Sequence, residues 1–251
     1  MEIKTKFFTI KRKIEKKIQY HYTNIKTCKY RLEGKQIIHF LHIGKTGGTA
    51  FREALTKHNI NNNYAIIFHQ HEIKLKDIPK GEKVIFFLRD PLTRFVSGFY
   101  SRQRKGMPRY NIPWKGWEEK AFSIFHTPND LAEAITSKNK IIRKEAIHAM
   151  QNITHIKSHF WDWFSNKKYF QSRLNDILFV ATQENLSRDF EKLKTILKLP
   201  KNLKLPKDDY RMHKNPLHLN KKLSQTAKHN LKKWYAKDYE FSKLCKKENL
   251  I

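Results

Sequence analysis

The sequence predicts an α/β fold with a parallel sheet covered by helices on both faces. Three observations carry this. Short, almost wholly apolar runs recur at Ile37–Ile43, Tyr64–Phe68, Lys83–Leu88 and Ile177–Ala181. Segments with helical apolar spacing follow three of these runs. The first run ends in a glycine-rich turn that opens into a helix. Strands buried on both faces read as unbroken apolar runs, and strands that alternate with helices pair in parallel. Ligands of such sheets lie beyond the carboxyl ends of the strands. The loops after Ile43, Phe68 and Leu88 should therefore line one crevice.

Each element follows in order. Residues 1–35 are Lys-rich with scattered apolar positions, a basic helical arm or packed extension ahead of a single domain over 36–251. After the first strand, Gly44–Gly48 is a loop and Thr49–His58 a helix. Pro91 opens a second helix, a preferred first-turn position. Its apolar residues Leu92, Phe95, Val96, Phe99 and Tyr100 share one face; Arg94, Ser97 and Ser101 lie on another. Residues 106–129, with Met107-Pro108, Pro113-Trp114 and Thr127-Pro128, form an irregular segment with aromatic anchors. A substrate-facing insertion near 102–129 follows from that. Leu131–Met150 is helical, and Leu186, Phe190, Leu193 and Leu197 mark another amphipathic helix. Pro200–Pro216 is a long basic loop, and Ser224–Cys245 is mostly helical.

Composition narrows the function. The chain has 251 residues, 39% hydrophobic and 13% aromatic, enough for a sizeable core and against disorder. The net charge of +29 attracts polyanions. Equally, a surplus of Lys over Arg with frequent Asn and Ile is what an A/T-rich coding sequence writes on solvated faces. The two cysteines, Cys28 and Cys245, are far apart and form neither a metal spacing nor a disulfide framework. A reduced compartment is the simpler reading. The sequence has no bilayer-length apolar run and no apolar signal-peptide core, so a cytoplasmic protein is expected, with a basic N-terminus suited to peripheral contact with a membrane surface.

The first chemical motif is His42-Ile43-Gly44-Lys45-Thr46-Gly47-Gly48-Thr49-Ala50-Phe51. Glycines let backbone N–H groups curve around an anion, and a helix N-terminus adds partial positive charge. Lys45 supplies a full charge; Thr46 and Thr49 supply hydroxyls. This is a phosphate cradle by composition and placement. It is not a Walker A loop: His39 stands where that pattern needs its first glycine, and the lysine precedes the paired glycines. The second motif is Phe87-Leu88-Arg89-Asp90-Pro91-Leu92-Thr93-Arg94-Phe95-Val96-Ser97-Gly98-Phe99-Tyr100. Arg89 ends a strand, Ser97 lies two turns into the next helix, and a guanidinium with a hydroxyl can hold a second phosphate.

A strand–Lys-Thr-Gly-Gly-Thr–helix followed by a strand–Arg-Asp-Pro…Arg-Phe-x-Ser-Gly–helix resembles the sulfotransferases that use 3′-phosphoadenosine 5′-phosphosulfate (PAPS). The likeness is to the carbohydrate-modifying branch, which includes the heparan 2-O-sulfotransferases. It covers roughly residues 36–245, with weaker matches at Gln183–Phe190 and Trp234–Phe241. The resemblance implies a three-layer fold like that of P-loop NTPases, with a central parallel sheet flanked by helices. It implies that Lys45, Thr46, Gly47, Gly48, Thr49 and Ala50 bind the 5′-phosphosulfate, and that Arg89 and Ser97 bind the 3′-phosphate. It implies PAPS as donor, no metal, and a carbohydrate acceptor rather than nucleic acid.

A third constellation, Phe68-His69-Gln70-His71-Glu72, follows the second strand. Residues i and i+2 of a strand face the same way, and an imidazole can take a proton from an attacking hydroxyl near neutrality. The related 2-O-sulfotransferases carry a His-x-His here, which by resemblance makes His71 the general base and His69 its helper or substitute. Glu72 is a third candidate, since other branches use Glu. Arg102, Arg104, Lys105 and Arg109 interleave with Tyr110, Trp114 and Trp117, which suits a sugar and suits a packed loop equally well. His155, His159, Trp161 and Trp163 are a weaker candidate for that surface, and His213-Lys214-Asn215 for closing over the nucleotide. The rival readings are a nucleotide-dependent kinase on the same fold and a non-enzymatic binder of RNA or acidic glycan.

Overall fold

The computed structural model describes residues 23–61, 63–206, 208, 215, 216 and 218–251. Most of the basic extension, and His213 and Lys214, lie outside the described residues. Residues 23–32 are helical (α1). Then come β1 (Gln36–Phe40), α2 (Gly48–Leu55), β2 (Tyr64–Phe68), β3 (Lys83–Leu88) and α3 (Pro91–Gln103). Helices α4 (Gly116–Ile124), α5 (Pro128–Ala134), α6 (Lys140–Asn152), α7 (Trp161–Phe164) and α8 (Lys167–Gln171) follow. The chain closes with β4 (Ile177–Thr182), α9 (Leu186–Ile196), α10 (Gln225–Trp234) and α11 (Ala236–Lys247).

Among the described residues the sheet has the order β2-β1-β3-β4, and every pairing is parallel. Phe40 of β1 lies opposite Phe68 of β2 and Ile85 of β3. The chain leaves β1 toward β2 and then returns across β1 to build β3, so β1 and β3 flank a switch point. One sheet face packs Ile38, Phe40, Ile85 and Phe87 under Phe51 and Leu55 of α2 and Phe190 and Leu193 of α9. The other packs Val84, Phe86, Leu88 and Val180 under α7, α8 and α11. The fold is the three-layer α/β arrangement expected. A separate helical core joins α3, α4, α5, α6 and α10 around Phe95, Phe99, Phe122, Leu131, Met150 and Leu231.

The structure corrects several element boundaries. β1 stops at Phe40, not Ile43, because the Thr46 hydroxyl donates to the Ile43 carbonyl at 2.9 Å and folds the chain into the loop. Leu131–Met150 is two helices: the Asn139 side chain accepts from Ile141 N–H and Ile142 N–H and starts α6 afresh. The segment before Thr127 is not wholly irregular, since α4 runs through it. Ser224–Cys245 breaks at Tyr235, whose hydroxyl donates to the Ile156 carbonyl at 2.8 Å. Cys28 and Cys245 are free thiols, the second buried with Phe241 and pushed up to about 12 by burial. No helix among the described residues is long and apolar enough to cross a membrane.

Phe86 is fully buried between Phe164 (ring centroids 4.6 Å), Phe170 and Phe241. Phe86→Ala leaves a cavity there, so denaturant unfolding should show a loss of about 3–5 kcal/mol with an unchanged m-value.

Candidate active site

The loop after β1 is built to expose backbone. Lys45 is left-handed (φ 66°), and Gly47, the N-cap of α2, has φ 91°. A Cβ on Gly47 would also stand 3.1 Å from Gln183 Cγ, so glycine is needed there for both reasons. The first turn of α2 carries no acidic residue to compete with an incoming anion. Thr46 is fully buried and its hydroxyl donates to the Ile43 carbonyl, so the hydroxyl expected to serve an anion is already committed to the loop. Thr49, Gly48 and Ala50 line the cleft that opens in front of α2.

The second motif reaches the first directly. The Asp90 side chain caps α3 by accepting from Thr93 N–H at 3.0 Å, and Pro91 opens the first turn. Asp90 is itself fixed by Glu184, which accepts from its N–H at 2.9 Å, and by the Tyr239 hydroxyl at 3.1 Å. This sets Arg89, whose Nη1 donates to the Lys45 carbonyl at 3.3 Å and whose Nε donates to Thr93 Oγ1 at 3.0 Å. Arg94, one turn on, donates from Nε to the Gly44 carbonyl at 3.1 Å. Two consecutive carbonyls of the cradle are thus held by two arginines of α3 and its approach. Ser97 lines the same cleft.

The cleft is strongly cationic. Burial, and then Arg89 and Arg104, lower Lys45 to about 7. Burial also lowers Arg89, against the opposing pull of Glu184 and Asp90. Among the described residues no carboxylate forms an ion pair with Lys45 or Arg89. A site that crowds cations without neutralising them suits an anionic ligand.

The loop after β2 separates its two histidines. The strand ends at Phe68, and His69 N–H still bonds back to the Phe40 carbonyl at 3.1 Å. His69 therefore keeps the strand's direction and turns under the sheet. There its Nε2 meets His39 Nδ1 at 2.7 Å, and His39 Nε2 meets Glu82 at 2.5 Å. Burial, with His39 next, pushes His69 down to about 3. The next residues turn, so Gln70, His71 and Glu72 line the cleft and His69 does not. The i, i+2 argument fails because the strand does not extend to His71. His71 donates from Nδ1 to the His42 carbonyl at 2.9 Å, which in the neutral ring leaves the lone pair on Nε2. Trp163 Nε1 pins the His71 carbonyl at 3.0 Å. The His71 ring lies between His42 (centroids 4.0 Å) and His155 (5.7 Å).

The glycine-rich β1–α2 turn with Lys45, an arginine from the β3–α3 turn and an imidazole thus share one cleft. Residues 29–242 match the model of the Sulfotransferase family. The chain belongs to the sulfotransferase family. No curated protein matches it.

The sulfotransferase cleft extends past the cradle to a volume of about 2360 Å³. Arg109, Tyr110, Trp114 and Lys115 line this extension. Arg109 pairs with Glu53 at 2.6 Å, and the Trp114 indole donates to the Arg102 carbonyl at 2.8 Å. Arg102, expected to face substrate, is 4% exposed and donates to both oxygens of the buried Glu118, at 2.8 and 2.5 Å. It braces the insertion, since a guanidinium with a bidentate carboxylate partner is already satisfied. Arg104 binds Asn215 at 2.8 Å, holding one end of the segment expected to close over the nucleotide. Trp161 packs into the core against Phe241 at 4.8 Å and not on an acceptor surface.

Two residues escaped the sequence reading. Arg94 was placed on a polar helix face, yet it is 2% exposed, stacked near Phe160 at 5.0 Å and paired with the wholly buried Asp238 at 3.4 Å. Asp238 also accepts from Phe160 N–H at 2.9 Å. The available signal was Asp238 itself, an acid set between the apolar positions Tyr235 and Phe241 of a helix. Asp238→Asn leaves the Arg94 charge buried without its counterion. Chemical denaturation should show a loss of about 3–5 kcal/mol, and the double variant Arg94→Met with Asp238→Leu should recover part of it.

Proposed function

We propose that this sulfotransferase transfers a sulfuryl group from PAPS to a hydroxyl of a carbohydrate. The observation that carries the reading is the 3.3 Å contact from Arg89 to the Lys45 carbonyl, which sets two anion-binding turns side by side on one cleft. A nucleotide charged at both its 3′ and 5′ ends has that shape of need. The backbone of 45–50, with Lys45, would hold the 5′-phosphosulfate; Arg89 and Ser97 would hold the 3′-phosphate. Lys45 and Arg89, which form no ion pair among the described residues, fit such a ligand, which would restore charge to Lys45.

In this reading the acceptor oxygen forms a bond to sulfur while the bond from sulfur to the bridging phosphate oxygen breaks. His71 Nε2 takes the acceptor proton, and Lys45 balances the charge left on the phosphate oxygen. The products are a sulfate ester, adenosine 3′,5′-bisphosphate and the proton on His71. Glu72, exposed beside His71, is the second candidate for the base. The whole cleft, donor end included, is about 2360 Å³, above the roughly 300–1,000 Å³ of ordinary small-molecule sites, which supports an acceptor seated beside the nucleotide. Tyr110, about half exposed, lines the extension with Arg109 beside its ring, a pairing of aromatic and cation suited to a polyhydroxylated or acidic sugar.

Adenosine 3′,5′-bisphosphate should raise the melting temperature saturably, while ATP with Mg²⁺ or RNA does not; a larger shift with ATP would favour a kinase. Assayed with labelled PAPS and a panel of glycans, Lys45→Ala should lower transfer by at least about 10²-fold. His71→Ala should lower it by about 10²–10⁴-fold with bisphosphate affinity retained; the same loss in Glu72→Ala instead would move the base. Lys45 at about 7 in the free protein must regain its proton to pair with an anion. Bisphosphate affinity should therefore be flat between about pH 6, where the phosphates themselves begin to take up protons, and that pH, and fall up to about tenfold per unit above it, until the bound-state value is reached. Titration calorimetry in several buffers should detect the proton uptake, and Lys45→Arg should abolish it.

A further inference from the structure

Each of the two anion motifs omits a side chain at the place where His155 comes closest. A Cβ on Gly44 would stand 2.9 Å from His155 Nδ1, and a Cβ on Gly98 would stand 3.3 Å from both the Cβ and the carbonyl oxygen of His155. The residue itself is left-handed, with φ 71°, a conformation that few non-glycine residues hold. Its neighbours Ile153 and Ile156 are fully buried, so the strained turn is fixed from both sides. The ring lines the cleft and meets His71 edge-on at 5.7 Å. Among the described residues its ring makes no hydrogen bond to the protein, whereas His71 is fixed through Nδ1 by the His42 carbonyl. Burial first, then Lys45, His71 and Arg94, push His155 well below its ordinary value, so the ring is neutral and carries one N–H and one lone pair.

A strained backbone, two glycine clearances and an imidazole that makes no hydrogen bond among the described residues, close to Lys45 and edge-on to His71, point to a group kept for the ligand. We propose that His155 is a catalytic residue that donates its ring N–H to a non-bridging oxygen of the sulfuryl group as that group passes from the donor to the acceptor hydroxyl. The inference rests on the sulfuryl-transfer reading above. His155 keeps its proton throughout and forms no covalent bond. Its work is to hold the moving group in line between the leaving oxygen, which Lys45 faces, and the attacking oxygen, which His71 faces.

Two variants test this. His155→Asn tolerates the left-handed backbone but is too short to reach the sulfuryl oxygen; His155→Gln keeps a neutral donor with more reach. Affinity for adenosine 3′,5′-bisphosphate, which has no sulfuryl group, is measured by calorimetry. Conversion of labelled PAPS is measured in a single turnover with a glycan panel. His155→Asn should bind the bisphosphate within about twofold of wild type and convert PAPS about 10²-fold more slowly. His155→Gln should recover to within about tenfold of wild type. A wild-type rate in His155→Asn would overturn the inference alone, as would a loss of bisphosphate affinity in step with the rate, which is what a merely space-filling ring predicts. A wild-type protein that binds no bisphosphate would overturn the donor reading and this inference with it.

Discussion

The site depends on two hydrogen bonds from arginine to backbone. Arg94 holds the Gly44 carbonyl at 3.1 Å and Arg89 holds the Lys45 carbonyl at 3.3 Å. In a planar trans peptide the C=O and the following N–H point in opposite directions. Fixing two consecutive carbonyls therefore fixes the directions of the Lys45 and Thr46 N–H groups. The left-handed Lys45 is what allows two neighbouring carbonyls to reach two different arginines. The second motif thus shapes the first, as well as bringing its own guanidinium to the same cleft. Arg94 is held in turn by Asp238 on α11, so the last helix of the chain supports the first loop after β1.

That dependence explains what could be read from the sequence. β2 and β3 end at the residues where their apolar runs end, because a strand buried on both faces has no other signature. That the glycine-rich turn and Arg89 share a cleft was legible because glycine, lysine and arginine at the carboxyl ends of adjacent parallel strands must converge there. Helix breaks at Asn139 and Tyr235 were not, since each depends on a cap or on a hydrogen bond to a distant carbonyl. The histidine pair was half legible. His71 lies on the cleft, but the expectation that His69 shares its face assumed a strand longer than the one that forms. Arg94 and Asp238 were hidden because helical periodicity assigns a charged residue to solvent, and a pair buried across 144 residues of sequence leaves no periodic trace.

The same structure separates the charges that matter at the site from the rest of the +29. Arg102 is neutralised by Glu118, Arg109 by Glu53, Arg173 by Asp176 and Arg94 by Asp238. These arginines brace loops and helices, as buried or half-buried guanidinium groups with carboxylate partners do. Lys45 and Arg89 differ in kind. They stand beside one another, Arg89 bonded to a carbonyl and a hydroxyl, with no ion pair to a carboxylate among the described residues, and burial lowers both. A protein tolerates such repulsion where a ligand relieves it. The bulk charge of the chain would look much the same on a protein that bound no anion at all. What marks the site is that, among the described residues, no carboxylate forms an ion pair with either of the two cations that the fold brings together at the switch point between β1 and β3.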